Sequence, residues 1–114
     1  MSRAALATRT LAAHVEAILR ATGAVPGVEG YPGVAGFRID APEPLATADP
    51  PTWATVRVWH LGRDDADWTP AVQAYSAALQ AAGLRAWVIP AACTVEGVPY
   101  VVVQRKIVYP GVVA

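Results

Sequence analysis

Cysteine, lysine and net charge are all scarce in this 114-residue chain, and each shortage excludes some functions. Cys93 is the only cysteine, so the chain cannot form an intrachain disulfide or offer a thiolate cluster to zinc. Lys106 is the only lysine, and nine basic residues balance nine acidic ones. Strong nucleic-acid binding is therefore not expected, because it needs excess basic charge to displace phosphate counterions. A polybasic membrane anchor is disfavoured for the same reason.

Charged residues make up only 16% of the chain, whereas 54% of it is hydrophobic. An ordinary globular domain has about 25% charged residues. A chain of this length is expected to form one domain, residues 1–114, with a real hydrophobic core. The surplus of apolar residues predicts some uncovered apolar surface, which usually marks a site for a partner.

The N-terminal segment carries Arg3, Arg9 and Arg20, which interrupt any signal-peptide core or membrane span. We therefore expect a cytoplasmic protein of the producing cell, or a component of a virion.

Hydrophobic periodicity predicts two helices and four strands. Helices are expected at 3–22, capped by Ser2, and at 70–82, beginning at Pro70. Strands are expected at 36–40, 54–61, 84–95 and 98–108. The stretch 41–52 contains four prolines and is expected to be an extended loop.

This αββαββ order predicts an α+β fold, a two-layer sandwich with both helices on one face of a four-stranded sheet. The strands at 54–61 and 84–95 flank the second helix. A helical crossover favours a parallel pair of neighbouring strands, so a mixed sheet is expected.

The sequence contains four candidates for a catalytic, metal or phosphate site. The acidic run Asp64, Asp65 and Asp67 has ligands suited to Mg²⁺, but also fits a solvated turn before a helix. His60 and Cys93 could form a base and nucleophile, although no third orienting group is evident. His14 lies on the flank of the first predicted helix near Ile18 and is no stronger a candidate, and glycines 27–36 lack the order of a phosphate loop. We expect no enzyme activity, no cofactor and no metal.

An Arg-x-Trp pattern occurs twice, at Arg57–Trp59 and at Arg85–Trp87. Residues two apart on a strand share a face, so each pair should lie on the side away from the helices. Tyr100 lies on the last predicted strand, at a position whose side chain could complete this surface. Trp, Tyr and Arg are enriched at binding hot spots. The alternative is that the Trp rings fill the core and the Arg stems cover their edges.

An Arg/Trp sheet face has two uses that we consider. The first is protein contact, most simply self-association into a homo-oligomer. The second is stacking of bases from single-stranded nucleic acid. Zero net charge favours the first use. The sequence therefore predicts a non-catalytic interaction or structural module, with Arg57, Trp59, Arg85, Trp87 and Tyr100 at the interface.

The segments GFRID (36–40), TVRVWHLG (55–62) and AYSAALQAAG (74–83) carry a family resemblance. In this order they resemble small uncharacterised proteins of actinobacteria, their phages and their mobile elements. The strand WATVRVWHL (53–61), set between an N-terminal helix and a second helix, is also similar to siphophage tail-terminator or neck proteins. That likeness implies a structural subunit of a ring, and it implies no catalytic residue.

Overall fold

The computed structural model describes residues 2–31, 33–41 and 51–110. Most of the proline-rich stretch 41–52, namely residues 42–50, therefore lies outside the described residues. The described helices and strands, in chain order, are α1 (Arg3–Ala21), β1 (Gly36–Asp40), β2 (Trp53–Leu61), α2 (Trp68–Ala81), β3 (Arg85–Ile89) and β4 (Tyr100–Lys106).

Both helices lie close to the predicted ranges. In α1, the Ser2 hydroxyl caps the first turn by accepting a hydrogen bond from the backbone N–H of Ala5, at 3.1 Å. Helix α2 begins before the predicted Pro70, because a 3₁₀ turn at Asp65–Asp67 leads directly into it. No described helix is both long and apolar enough to span a membrane.

The sheet has the order β1-β2-β4-β3, and all three strand pairs are antiparallel. The α+β class is confirmed, but the predicted mixed sheet is wrong. Strands β2 and β3 do run in the same direction across α2. They are not neighbours, however, because β4 lies between them and pairs with both. The unit β2-α2-β3 is thus a split β-α-β motif, in which the crossover passes over one strand.

Strand β3 ends much earlier than the predicted residue 95. Pro90 follows Ile89 and has no N–H to give to a ladder. A 3₁₀ turn at Ala91–Cys93 comes next, closed by the backbone N–H of Cys93 donating to the Pro90 carbonyl at 2.9 Å. The chain re-enters the sheet only at Tyr100, so the connection is a ten-residue loop from 90 to 99 rather than a tight hairpin.

One hydrophobic core lies between the helices and one face of the sheet. Alternate residues of the strands point into it, as period two requires. Its fully buried members come from both layers, and they are Leu11, Val15 and Leu19 of α1, Val72 and Leu79 of α2, Val56 and Val58 of β2, and Val101 and Val103 of β4. Phe37 of β1 is 2% exposed and meets Tyr75 of α2 edge to face, with ring centroids 6.3 Å apart.

The two outer strands have protected edges. Backbone hydrogen bonds from Phe37 to Val25 and from Gly27 to Phe37, both 3.0 Å, lay the segment 25–27 along β1. Gly36 permits this approach, since a Cβ there would lie 2.7 Å from the Pro26 carbonyl carbon. On β3, the Ala86 carbonyl accepts a hydrogen bond from the Gln80 side chain at 2.7 Å.

Candidate interaction face

The face of the sheet away from the helices carries a concentrated set of aromatic and arginine side chains. We call it the open face. It is made by the strand residues that alternate with the core residues, namely Arg38, Asp40, Trp53, Thr55, Arg57, Trp59, Arg85, Trp87, Ile89, Tyr100, Val102 and Gln104. Neither helix covers this face within the described residues, because both pack on the opposite side.

All five residues predicted for the interface lie on the open face, but their arrangement differs from the prediction. Trp59 and Trp87 do not stand on neighbouring strands, because β4 separates β2 from β3. Trp59 instead contacts Tyr100 of β4, with ring centroids 4.4 Å apart. Trp87 stands opposite Val102 in the register. Strand β4 therefore links the two Arg-x-Trp strands into one continuous surface.

The first cluster on this face centres on Arg57. Its guanidinium lies 5.7 Å from the ring centroid of Trp59 and 6.0 Å from that of Tyr100. The same guanidinium donates to the Asp40 carboxylate, which stands opposite Arg57 on β1. Asp40 was not among the residues predicted for this face. Asp40 lies two residues after Arg38 on a short predicted strand, so both side chains were predictable as lying on one face. The pairing of β1 with β2, which brings Asp40 to Arg57, was not predictable from the sequence.

The second cluster centres on Arg85. Its guanidinium lies 5.3 Å from the ring centroids of both Trp53 and Trp87. Trp53 was also missed, because β2 begins one residue earlier than predicted. Trp53 precedes Thr55 and Arg57 at intervals of two residues, so the alternation of the strand could have placed it on the same face. No described carboxylate pairs with Arg85, whereas Arg57 has Asp40 and Arg38 has Glu29, at 3.5 Å.

Two hydrogen-bond donors on the open face are shielded from solvent and lack an acceptor among the described residues. They are Nε of Arg57 and Nε1 of Trp59. A desolvated donor without an acceptor costs about 1–3 kcal/mol. Both belong to the first cluster, so the described residues leave two hydrogen-bond donors of this cluster without an acceptor.

His60 lies on the opposite, core-facing side of β2. Its Nδ1 and the Tyr75 hydroxyl are hydrogen-bonded at 2.7 Å. Burial lowers the pKa of His60 below its ordinary value, an effect partly opposed by the nearby Asp67 carboxylate. Burial also raises the pKa of the Tyr75 phenol. Cys93 is exposed in its 3₁₀ turn, and no described hydrogen bond joins it to His60.

The lowered pKa of His60 predicts a loss of stability in weak acid. The unfolded chain binds this proton near pH 6.5, whereas the folded chain binds it only at lower pH. Stability from the neutral His60–Tyr75 pair is therefore complete above about pH 6.5 and falls as the pH drops below that value. Urea unfolding between about pH 7.5 and 5.5 should show a smaller fall for His60→Gln than for the native chain. Equal falls would contradict this assignment.

The remaining candidates from the sequence have local structural roles. The Asp64 carboxylate accepts a hydrogen bond from the backbone N–H of Ala66, at 3.0 Å, at the start of the turn before α2. His14 Nδ1 lies 3.0 Å from an Arg105 nitrogen. Among the described residues, no group of three or more His, Cys, Asp or Glu side chains could hold a metal ion.

Comparison with known proteins gives no relative from which a role could be transferred. No family model, no curated protein and no solved structure matches this chain. The resemblance to phage and actinobacterial proteins stays a prediction.

Proposed function

We propose that this chain is a non-catalytic interaction module that associates with a second copy of itself through the open face. The observation that carries the proposal is the pair of Arg/aromatic clusters on the sheet face that the helices leave uncovered. Arg, Trp and Tyr dominate interface hot spots because they bury large areas and still offer directional donors. Trp53, at the rim of the second cluster, is 40% exposed.

The size of the face suits a modest dimer interface. Four strands spaced ~4.8 Å apart give a width of ~19 Å, and strands of this length give a mean height of ~22 Å. Two stacked faces would then bury roughly 840 Å² in projection, below the ~1,000 Å² of a stable specific interface and in the range of weak, transient ones. We therefore expect a reversible dimer with a dissociation constant of about 10–100 μM, rather than a permanent one.

Single-stranded nucleic acid is the rival occupant, since an antiparallel sheet with exposed aromatic rings can stack bases. The arrangement of the arginines disfavours it. Guanidinium groups already lie against the rings of Trp53, Trp59, Trp87 and Tyr100, so a base would have to displace them. The zero net charge also removes most of the electrostatic gain on which such binding depends.

A non-catalytic role is further supported by the placement of the titratable groups. His60 is engaged by Tyr75 beside the core, and Cys93 lies in a separate exposed turn. A base–nucleophile pair would need these two side chains within hydrogen-bond reach.

Sedimentation velocity across about 10–500 μM tests the self-association. We expect the native chain to shift from monomer to dimer in this range. Val102→Lys places a charge at the middle of the open face and should leave the protein monomeric, because that charge would be buried against a partner. Leu6→Lys is the matched control, since Leu6 is 53% exposed and lies on α1, on the helix side of the sheet.

Three outcomes would overturn the proposal. A native chain that stays monomeric at all concentrations would refute the proposed dimer. A discrete larger oligomer would favour assembly as a ring subunit. Salt-sensitive binding of a labelled oligothymidine in a fluorescence anisotropy titration, lost in Trp59→Ala, would favour the nucleic-acid alternative.

A further inference from the structure

We propose that the two copies stack about a two-fold axis that runs across the strands, so that the strands of one copy run antiparallel to those of the other. The inference rests on the proposed self-association through the open face, and it specifies the orientation of the partner. It follows from the uneven distribution of charge along the strands.

One end of the sheet is basic. Strands β2 and β3 begin there and β4 ends there. Four basic residues gather at this end, and none has a carboxylate partner among the described residues: Arg3, Arg85, Arg105 and Lys106. Three of them line a single cleft of about 240 Å³ between α1 and the end of β4. Asp40, which pairs with Arg57, lies opposite the middle of β2 and not at this end.

The other end is acidic. Strand β2 ends there, and the turn into α2 follows with three aspartates. The loop before β4 adds Glu96, and Glu29 lies beside Arg38. The carboxylates of this end are Glu16, Glu29, Asp64, Asp65, Asp67 and Glu96, and they outnumber the arginines, Arg20, Arg38 and Arg63. The described part of the chain is therefore a charge dipole directed along its strands.

Aligned stacking of two identical sheets leaves two choices of two-fold axis. An axis along the strands places the basic end of one copy over the basic end of the other. An axis across the strands places each basic end over the partner's acidic end. Stacked sheets are ~10 Å apart, which is close to the ~8 Å Debye length at physiological salt. Of the four basic residues, Arg85 and Lys106 lie on the open-face side of their strands, whereas Arg3 and Arg105 lie on the helix side. An axis along the strands would bring Arg85 and Lys106 of one copy close to the same residues of the other, and this repulsion selects the axis across the strands.

We place that axis at the middle of the open face. Arg57 is the central residue of β2, which spans Trp53–Leu61, and it stands opposite Val102 of β4. An axis that passes between these two residues superimposes the middle of one face on the middle of the other. The solvent-shielded donors of Arg57 and Trp59 then lie near the centre of the interface.

Distances between spin labels distinguish the two orientations. Val108 follows β4 at the basic end and Val95 precedes β4 at the acidic end, and both are exposed and uncharged. Each would be replaced by cysteine in a Cys93→Ser background, labelled, and measured by pulsed electron paramagnetic resonance at dimer-forming concentrations. Lys106 lies four residues beyond Val102, hence ~14 Å from the axis, so the labels at 108 should be ~27 Å or more apart.

The decisive sample is a mixture of Val108→Cys and Val95→Cys chains. The antiparallel arrangement should give a short distance in the mixture and long distances in each pure sample. Short distances of about 10–20 Å in both pure samples would overturn the proposed orientation while leaving the dimer intact. Absence of any dipolar coupling, together with a monomer in sedimentation, would overturn the self-association on which the inference rests.

Discussion

Replacing Trp59 with alanine should weaken self-association about 30-fold or more, which corresponds to roughly 2 kcal/mol of binding free energy. Trp59 lies near the middle of the open face, between Arg57 and Tyr100. Its loss removes the ring on which the guanidinium rests and opens a gap at the centre of the interface. A dissociation constant in the expected range would move to about the millimolar level, so Trp59→Ala should sediment as a monomer.

Trp68→Ala is the matched control for this substitution. Trp68 lies at the start of α2, outside the open face, and its indole N–H donates to the Gly62 carbonyl at 3.3 Å. It should lose some stability and still dimerise like the native chain. If both alanine variants dimerise equally well, or both fail to, the aromatic cluster on the open face is not the determinant of association.

Replacing Phe37 with alanine should lower the free energy of unfolding by about 3–5 kcal/mol, a large share of the stability of a domain this size. Phe37 is 2% exposed, packs against Tyr75, and carries the backbone groups that hold the segment 25–27 against β1. Truncation leaves a cavity between β1 and α2. Because β1 contributes Asp40 to the first cluster, loosening of β1 should also weaken dimerisation.

Tyr31→Ala provides the comparison in urea unfolding, since Tyr31 is also aromatic but 67% exposed. It should change stability by less than about 0.5 kcal/mol. A comparably small effect of Phe37→Ala would mean that β1 is not a packed member of the sheet.

Local features of the fold were predictable because local chemistry determines them. Ser2 is a good cap, and the 3.6-residue spacing of Leu11, Val15 and Leu19 is specific to a helix. Strict alternation in β2 likewise placed Arg57 and Trp59 on the face opposite the core. These signals involve neighbours in sequence, so one chain suffices to interpret them.

The order of the strands was not predictable in the same way. A helical crossover fixes the direction of β3 relative to β2, but it fixes neither their separation nor what lies between them. Pro90 and the 3₁₀ turn after it prevent a tight hairpin. The loop of 90–99 then lets β4 return on the inner side of β3 and pair with β2 as well. That choice depends on packing across the whole sheet.

In the open face, too, the features set by local sequence were predictable and those set by strand pairing were not. The parity of single strands identified Arg57, Trp59, Arg85, Trp87 and Tyr100, whereas the partners of the arginines depend on strand pairing. Asp40 reaches Arg57 only because β1 lies beside β2. The ring centroid of Trp53 lies 5.3 Å from the Arg85 guanidinium, although 32 positions separate the two residues in the sequence. Contacts of this kind require the register, which sequence periodicity does not contain.

The protection of the outer strands determines how such molecules can join. An unprotected edge lets sheets add to one another strand by strand without limit, which is the route to fibrils. Here the segment 25–27 occupies the edge of β1, while β3 is only five residues long, ends at Pro90 and has the Gln80 side chain on its Ala86 carbonyl. Growth by strand addition is thus blocked on both sides. The proposed association through the open face would instead use up the surface that drives it, so assembly would stop at two subunits.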